Sequence, residues 1–136
     1  MRVLLDTNAY AAFKRGDPDV TTRIRRSERV LLSAVVVGEL FYGFRHGSRY
    51  ERNRADLHAF LDRPFVTPLP VTLATADRFG RVAAQLRTKG RPIPTNDCWI
   101  AAHAMESGAE LLSFDGHFAA VDGLVWTQLG ATGDSV

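Results

Sequence analysis

Residues 93–126, "IPTNDCWIAAHAMESGAELLSFDGHFAAVDGLVW", decide how the rest of the chain is interpreted. After Pro94, a few polar residues lead into an apolar run that continues to Gly108, and glycine is the residue that most often closes a helix. The next apolar run is short and ends at Asp115, so it predicts a buried strand. A helix followed at once by a buried strand is typical of α/β proteins.

Asp97 stands at the head of this helix with no cation beside it. Ile100 lies three residues further on and shares its face, so the charge begins a stripe that faces the core. An acid in the first turn also favours the helix dipole, and capping is the plainer explanation. Thr95 and Asn96 precede it and are both competent N-caps, so we expect those two to cap the helix and leave Asp97 free.

Length and composition indicate a single domain over residues 1–136, with 130–136 as a polar tail. Apolar residues make up 46% and charged residues 24%, as in ordinary globular proteins. No apolar run approaches the length of a membrane span. Cys98 is the only cysteine, which excludes an intramolecular disulfide and a cysteine metal site. We therefore expect a cytoplasmic protein that does not contact membranes.

The basic residues are nearly all arginine. Only Lys14 and Lys89 of the 17 cationic side chains are lysine, and arginines cluster at 23–29 and 45–54. Arginine suits bidentate contact with phosphate, whereas the alternative is a set of solvated helix faces. The net charge of +2 does not by itself indicate a nucleic-acid partner.

Apolar strands alternate with helices along the chain. This alternation predicts a three-layer α/β/α architecture with a mainly parallel central sheet, in which ligands lie beyond the carboxyl ends of the strands. The expected strands are 2–5, 29–33, 64–70, 109–115 and 124–129, and the expected helices are 8–16, 19–27, 34–45, 49–62, 71–90 and the one that ends near Gly108.

Four acids lack a cation at helical spacing and occupy unusual places. Asp6 and Asp115 follow strands, Glu39 lies in an apolar helix, and Asp97 begins another. Each has an ordinary alternative, namely a turn for the two aspartates at strand ends and a half-exposed helix edge for Glu39. If the four converge, their repulsion requires a divalent cation, and an all-carboxylate set favours Mg²⁺, with Mn²⁺ as a substitute.

The four histidines show no clustering in the sequence, so we interpret them as structural or surface residues. They are His46, His58, His103 and His117. An all-carboxylate site serves phosphoryl chemistry without a histidine base, because the metal activates a water and stabilises charge on the leaving oxygen.

Three segments together resemble the PIN-domain ribonucleases of the VapC toxin type. They are "VLLDTNAY" (3–10), "SAVVVGELFYGF" (33–44) and the quoted stretch 93–126, and the four acids stand in the expected order. The resemblance covers nearly the whole chain. It implies a PIN-like α/β/α domain and an Mg²⁺-dependent endoribonuclease that cleaves structured RNA such as tRNA or ribosomal RNA. It also implies a cognate antitoxin and a homodimer.

The resemblance also implies roles for particular residues. Asp6 and Asp97 look like the principal metal ligands, Asp115 completes the set or binds a second ion, and Glu39 acts directly or through a water. A metal-activated water would attack the phosphodiester in line and leave 5′-phosphate and 3′-hydroxyl ends.

Other positions support this site or its partners. Asn8 is similar to the residue that helps to hold the first acid, and Ser113 stands where the family often has threonine. Phe41 and Phe44 are either core residues or part of a dimer or antitoxin surface. The arginines expected to bind RNA phosphates are Arg45, Arg49, Arg87 and Arg91.

Three alternatives remain at this point. A degenerate PIN domain would bind RNA without cleaving it. A HAD-type phosphatase needs a second aspartate two residues after the first, where this chain has Asn8. A receiver domain needs adjacent acids after its first strand and a late lysine. Here Asp6 stands alone, and the only late lysine is Lys89.

Overall fold

The structure, a computed structural model, describes residues 1–130, so the expected polar tail lies outside the described residues except for its first position. No helix within this described part is long and apolar enough to cross a bilayer. The elements in chain order are β1 (Arg2–Leu5), α1 (Thr7–Lys14), α2 (Pro18–Arg26), β2 (Arg29–Ser33), α3 (Ala34–Arg45), α4 (Tyr50–Leu61), β3 (Val66–Leu69), α5 (Leu73–Lys89), α6 (Thr95–Ser107), β4 (Glu110–Ser113), a 3₁₀ helix (Gly116–Ala120) and β5 (Trp126–Gln128).

The five strands form one parallel sheet in the order β3-β2-β1-β4-β5. Strand β1 is central, and Leu4 lies opposite Leu31 on one side and Leu111 on the other. These leucines are almost completely buried, as expected of strands covered on both faces by helices. The predicted three-layer α/β/α fold with a parallel sheet is confirmed.

The topological switch point of the sheet is at β1, because later strands are added first on one side of β1 and then on the other. The chain builds β2 and β3 outward on one side and then returns to place β4 on the other side of β1. The backbone N–H of Asp6, just after β1, donates to the carbonyl oxygen of Leu112 in β4 at 3.3 Å. A parallel sheet opens a ligand crevice at such a switch point, so residues that follow β1 and β4 border a ready-made site.

Helix α6 begins in a way that the sequence does not predict. Its N-cap is Pro94, which makes no side-chain cap. The expectation that Thr95 and Asn96 cap the helix is wrong, because both are already helical and lie in its first turn. The Asn96 amide instead donates to Glu39 in α3.

The segment after Asp115 is a short helix. Gly116–Ala120 form a 3₁₀ helix whose N-cap is the Asp115 side chain. Phe118 anchors this helix in the core, where it is fully buried. The 3₁₀ helix therefore holds the residues that follow Asp115 in a defined position above the sheet edge.

His103 is a structural residue, as expected. It lies in α6 and is 1% exposed. The Ser33 hydroxyl lies 2.8 Å from Nδ1, and the Pro70 carbonyl oxygen lies 3.1 Å from Nε2. Because a carbonyl can only accept, Nε2 donates to Pro70 and Nδ1 accepts from Ser33. The ring therefore joins β2 to the segment before α5.

Candidate metal centre

Asp6 is fixed at the end of β1 by two hydrogen bonds. The residue is 6% exposed and acts as the N-cap of α1, where Oδ1 accepts from the backbone N–H of Ala9 at 2.8 Å. Oδ2 accepts from the hydroxyl of Ser113, the last residue of the neighbouring strand β4. The strand end, the helix start and the neighbouring strand therefore all determine where this carboxylate points.

Ser113 connects the first acid to the fourth. Its hydroxyl donates to Asp6, and its Oγ accepts from the backbone N–H of Asp115 at 2.9 Å. The side chain is fully buried, so these two hydrogen bonds are shielded from water. One hydroxyl thus sets the relative position of two carboxylates, as a threonine hydroxyl would at the same place.

Glu39 reaches the site from the middle of α3. Its Oε1 accepts from the hydroxyl of Thr7 in α1, and its Oε2 accepts from the Asn96 amide in α6 at 3.1 Å. Both partners are neutral donors. The carboxylate is therefore held in place by three helices with its negative charge uncompensated, which is the condition that a bound cation would relieve.

Asp97 and Asp115 meet through a histidine. Asp97 is the third residue of α6, and its Oδ2 lies 3.5 Å from Nδ1 of His117. The same nitrogen lies 3.0 Å from Oδ2 of Asp115. His117 is exposed over half of its side chain, as expected of a surface residue, and its ring also faces the acids.

Burial and charge repulsion raise the pKa of two of these acids. For Asp6, burial is the main cause, and the charges of Asp97 and Asp115 add to it, while the hydrogen bonds from Ser113 and Ala9 act in the opposite direction. Burial also raises the pKa of the Asp97 carboxyl, with Asp115 and Glu39 adding to it and His117 opposing it. Charges on neighbouring acids thus contribute to the raised pKa of both Asp6 and Asp97.

The acids face a common cavity of about 220 Å³. The described residues that line this cavity include no lysine or arginine. Its walls are formed by Asp6, Thr7, Asn8, Glu39, Asp97, Ile100 and Asp115. A concave site with several carboxylates and no compensating cationic side chain has the donor chemistry that a hard divalent cation requires.

Asn8 and the arginines occupy other places than the acids. Asn8 is exposed and lines the cavity, but the groups that hydrogen bond to the Asp6 carboxylate within the described residues are Ser113 and Ala9. The expectation that Asn8 holds the first acid is therefore not met in this structure. The four arginines named above are exposed and lie outside the cavity wall; Arg45 instead lies over the ring of Tyr50.

Phe41 and Phe44 are partly buried and pack against the core. Their rings contact each other edge to face, with centroids 6.4 Å apart. Phe44 also lines a cavity of about 230 Å³ together with residues of α1 and α4. Core packing therefore accounts for part of each side chain, and the exposed remainder is available to a partner.

The sequence pattern found the four acids but missed two of their partners. Thr7 gave no signal, because its partner Glu39 lies 32 residues away. His117 did leave a signal, namely a histidine two residues after an acid that ends a strand. A tight turn after a strand returns such a side chain toward the acid, and this spacing would have placed it in the site.

The parallel sheet with a cluster of acids at its switch point makes this an α/β protein with a candidate metal site, and comparison with known proteins identifies its family. The PIN-domain family model matches residues 3–124. The chain belongs to the PIN-domain family, which excludes the phosphatase and receiver alternatives.

Similar proteins within the family are VapC ribonucleases. The chain is 34% identical over 115 residues to the ribonuclease VapC2 of Haemophilus influenzae, with 83% of this chain and 86% of the relative covered. It is 31% identical over 110 residues to the tRNA(fMet)-specific endonuclease VapC of Shigella flexneri, with 79% and 82% covered. A solved structure of VapBC-1 from nontypeable Haemophilus influenzae superimposes with a TM-score of 0.82 at 26% identity, covering 93% and 97%.

Proposed function

We propose that the protein is a divalent-metal-dependent endoribonuclease and the toxin of a toxin–antitoxin pair, acting in the cytoplasm on structured RNA such as tRNA or ribosomal RNA. The observation that carries the proposal is the convergence of four carboxylates from different elements on one cavity without a compensating lysine or arginine. Relatives named as ribonucleases, one of them specific for tRNA(fMet), support RNA as the substrate.

The acids divide the work according to their surroundings. Asp97 and Asp115 present oxygen atoms toward one point and would hold Mg²⁺, or Mn²⁺ in its place. Asp6, fixed by Ser113 and Ala9, would complete the set from the strand side. Glu39 faces the cavity from α3 and would position a water for attack on the phosphate. A divalent ion bound there supplies an activated water and stabilises charge on the leaving oxygen.

Arginines beyond the cavity rim would bind the RNA backbone. Arg87 lines a second cavity of about 450 Å³ between α5 and the start of α6, beside Thr95 and Cys98. Thr95 and Cys98 belong to the same helix as Asp97 and are near it in the sequence. We propose that the Arg87 guanidinium binds a phosphate neighbouring the one that is cleaved. Arg91, which is exposed two residues after the end of α5, would bind the RNA backbone as well.

A cognate antitoxin and a second copy of the chain are the expected partners. The similar solved structure from Haemophilus influenzae is a VapBC complex, which supports an antitoxin partner here. The cavity lined by Phe44 and Leu40, with Lys14 and Asp56 at its edge, offers an apolar side chain of such a partner a place beside charged groups.

Cleavage of purified RNA tests the activity. We expect the protein with Mg²⁺ to cut one or a few species in total tRNA and ribosomal RNA, and EDTA to abolish the cuts. Asp97→Asn should lower the rate by at least about a hundredfold, because it removes a charge that the metal requires. Asp77→Asn is a matched control on the surface, where the carboxylate pairs with Arg81 at 3.2 Å.

The same assay separates the alternatives. Cleavage that survives EDTA or the Asp97→Asn substitution would contradict a metal-dependent mechanism. An active-site acid is expected to affect the rate without abolishing RNA binding, so a protein that binds RNA but never cuts it under any divalent ion is instead a degenerate PIN domain. Gel-shift measurements on the same samples decide between these outcomes.

A further inference from the structure

His117 is held in a fixed relation to two of the acids. Its backbone N–H donates to Oδ1 of Asp115 at 2.9 Å, and its ring turns back so that Nδ1 lies 3.0 Å from Oδ2 of the same residue. Oδ2 of Asp97 lies 3.5 Å from this nitrogen. The imidazole is thus presented to the point between the two carboxylates by the 3₁₀ helix that Phe118 anchors in the core.

The three donor atoms have the spacing of ligands around one ion. One atom from each of Asp97, Asp115 and His117 lies within 4.8 Å of the others. Adjacent ligands of an octahedral ion with bonds near 2.1 Å are separated by about 3 Å, and opposite ligands by about 4.2 Å. The distances of 3.0 and 3.5 Å from Nδ1 to the carboxylate oxygens fall within this range.

We propose that Nδ1 of His117 is a ligand of the ion that Asp97 and Asp115 hold, and that this nitrogen makes the site prefer Mn²⁺ to Mg²⁺. The inference rests on the metal site of the proposed function and assigns it a mixed nitrogen and oxygen set. Mg²⁺ prefers oxygen ligands and retains its waters, whereas imidazole is a better ligand for first-row transition metals.

Coordination through Nδ1 requires the ring proton to reside on Nε2. That nitrogen makes no hydrogen bond to the described residues, and half of the side chain is exposed, so water can accept from it. The alternative is that Nδ1–H donates to Asp115 and never contacts the ion. The two arrangements place the nitrogen either in the coordination sphere or outside it, and a spectroscopic measurement distinguishes them.

Pulsed electron paramagnetic resonance of the Mn²⁺-loaded protein shows directly whether an imidazole nitrogen coordinates the ion. The full chain, stripped of metal, is titrated with Mn²⁺ alone, and the spin-echo modulation is examined for ¹⁴N coupling from imidazole. We expect the coupling in the unaltered protein and in His58→Gln, a control on exposed helix α4. We expect it to be absent in His117→Gln. Circular dichroism of each variant establishes that it is folded.

Metal preference provides the second measurement. Competition between Mn²⁺ and Mg²⁺ gives the ratio of their dissociation constants for each protein. We expect His117→Asp, which restores an all-oxygen set, to shift this ratio toward Mg²⁺ by about tenfold or more. His58→Gln should leave the ratio unchanged.

Two results would overturn the inference and leave the proposed function intact. One is Mn²⁺ bound without nitrogen coupling in the unaltered protein while metal-dependent RNA cleavage persists. The other is an unchanged ratio of dissociation constants in His117→Asp. If no Mn²⁺ binds and RNA is not cleaved, the metal site itself is wrong, and both proposals fail together.

Discussion

Asp97 shows what a single charge does in this fold. It lies in the first turn of α6 but is not its cap, and it faces other carboxylates. The dipole of the helix favours an acid here by about 0.3–1 kcal/mol, but burial and the neighbouring charges oppose ionisation. In the absence of metal, the helix dipole therefore stabilises the charged form of Asp97, whereas burial and the neighbouring carboxylates destabilise it.

Stability measurements on Asp97→Asn in EDTA should reveal this conflict. Because the pKa of Asp97 is raised in the folded protein, the folded state binds the proton more tightly than the unfolded chain. The contribution of the group to the free energy of unfolding therefore decreases as the pH rises from its ordinary pKa of 3.8 through the raised pKa. The variant cannot titrate there, so it should gain stability relative to the unaltered protein over this interval in denaturant unfolding.

Asp77→Asn serves as the comparison for this gain. Its carboxylate is exposed and pairs with Arg81 four residues on, so no gain with rising pH is expected. If Asp97→Asn instead loses stability relative to the unaltered protein as the pH rises over this interval, the carboxylate is stabilised by a cation or by capping, and the charge repulsion described above is not the dominant effect.

The residues that sequence reasoning identified are those defined by local spacing. Asp6 follows an apolar strand, and Asp97 lacks a cation at helical spacing. Both features can be recognised from residues nearby in the sequence. The role of Ser113 toward Asp6 depends on two strands pairing across 107 residues, and no local pattern reports that. The position of His117 in the site could have been predicted, because it lies only two residues after Asp115.

Three helices are joined by the hydrogen bonds of Glu39. It lies on α3, and its partners Thr7 and Asn96 lie on α1 and α6. Each is the first or second residue of its helix, so two helix starts are held against the middle of a third. The contact holds the start of α6 against α3 without capping it, because the Asn96 amide donates to Glu39.

Replacing Thr7 by valine should weaken this junction. The side chain keeps its shape but loses the hydroxyl that donates to the Glu39 carboxylate, and hydrogen bonds to charged groups contribute about 1.5–3 kcal/mol. We expect the free energy of unfolding in urea to fall by about 1–2 kcal/mol, the smaller value reflecting partial access of water.

Thr88→Val is the matched control, since its hydroxyl donates to the Ala84 carbonyl oxygen on the exposed face of α5. A loss of less than about 0.5 kcal/mol is expected there. Equal losses in the two variants would mean that the Glu39 carboxylate is solvated and that the junction contributes little.

The elements were predictable where hydrophobic periodicity and glycine or proline signals agreed. The strands at 2–5 and 29–33 and the helix over 34–45 match the structure. Element ends were predicted less well, because a terminus depends on which residue first satisfies the helix N–H groups. At α6 the chain enters the helix directly from Pro94, and the Asn96 amide donates to Glu39 instead of capping the helix.

At the scale of the molecule, charge is separated between the cavity and its surroundings. The acids line the cavity, whereas Arg87 and Arg91 are exposed outside its wall. A polyanion would be attracted to the exposed arginines and repelled by the acids until a divalent ion is bound. RNA affinity should therefore depend strongly on salt.

The salt dependence of RNA binding measures the contribution of each arginine. In an Asp97→Asn background that prevents cleavage, Arg87→Ala and Arg91→Ala should each reduce the slope of log K against log salt concentration by about 0.7–0.9. Arg23→Ala is the control, because its guanidinium pairs with Asp19 at 3.0 Å. A slope that changes equally in all three variants would indicate diffuse attraction without a defined RNA path.

The parallel sheet was predictable as a class because apolar strands alternate with helices. The strand order was not, since nothing in the pattern states on which side of β1 the chain places β4. This choice creates the crevice between β1 and β4, and so it brings Asp6 beside Ser113 and Asp115. The location of the site could therefore be inferred from the acids, but its geometry required the fold.

The position of β1 at the centre of the sheet has a consequence for the timing of synthesis. Its partner strand β4 is made about a hundred residues after Asp6. A nascent chain that has not yet released β4 from the ribosome has the first acid without Ser113 and Asp115. The cluster of acids is therefore completed only after β4 has emerged and paired with β1.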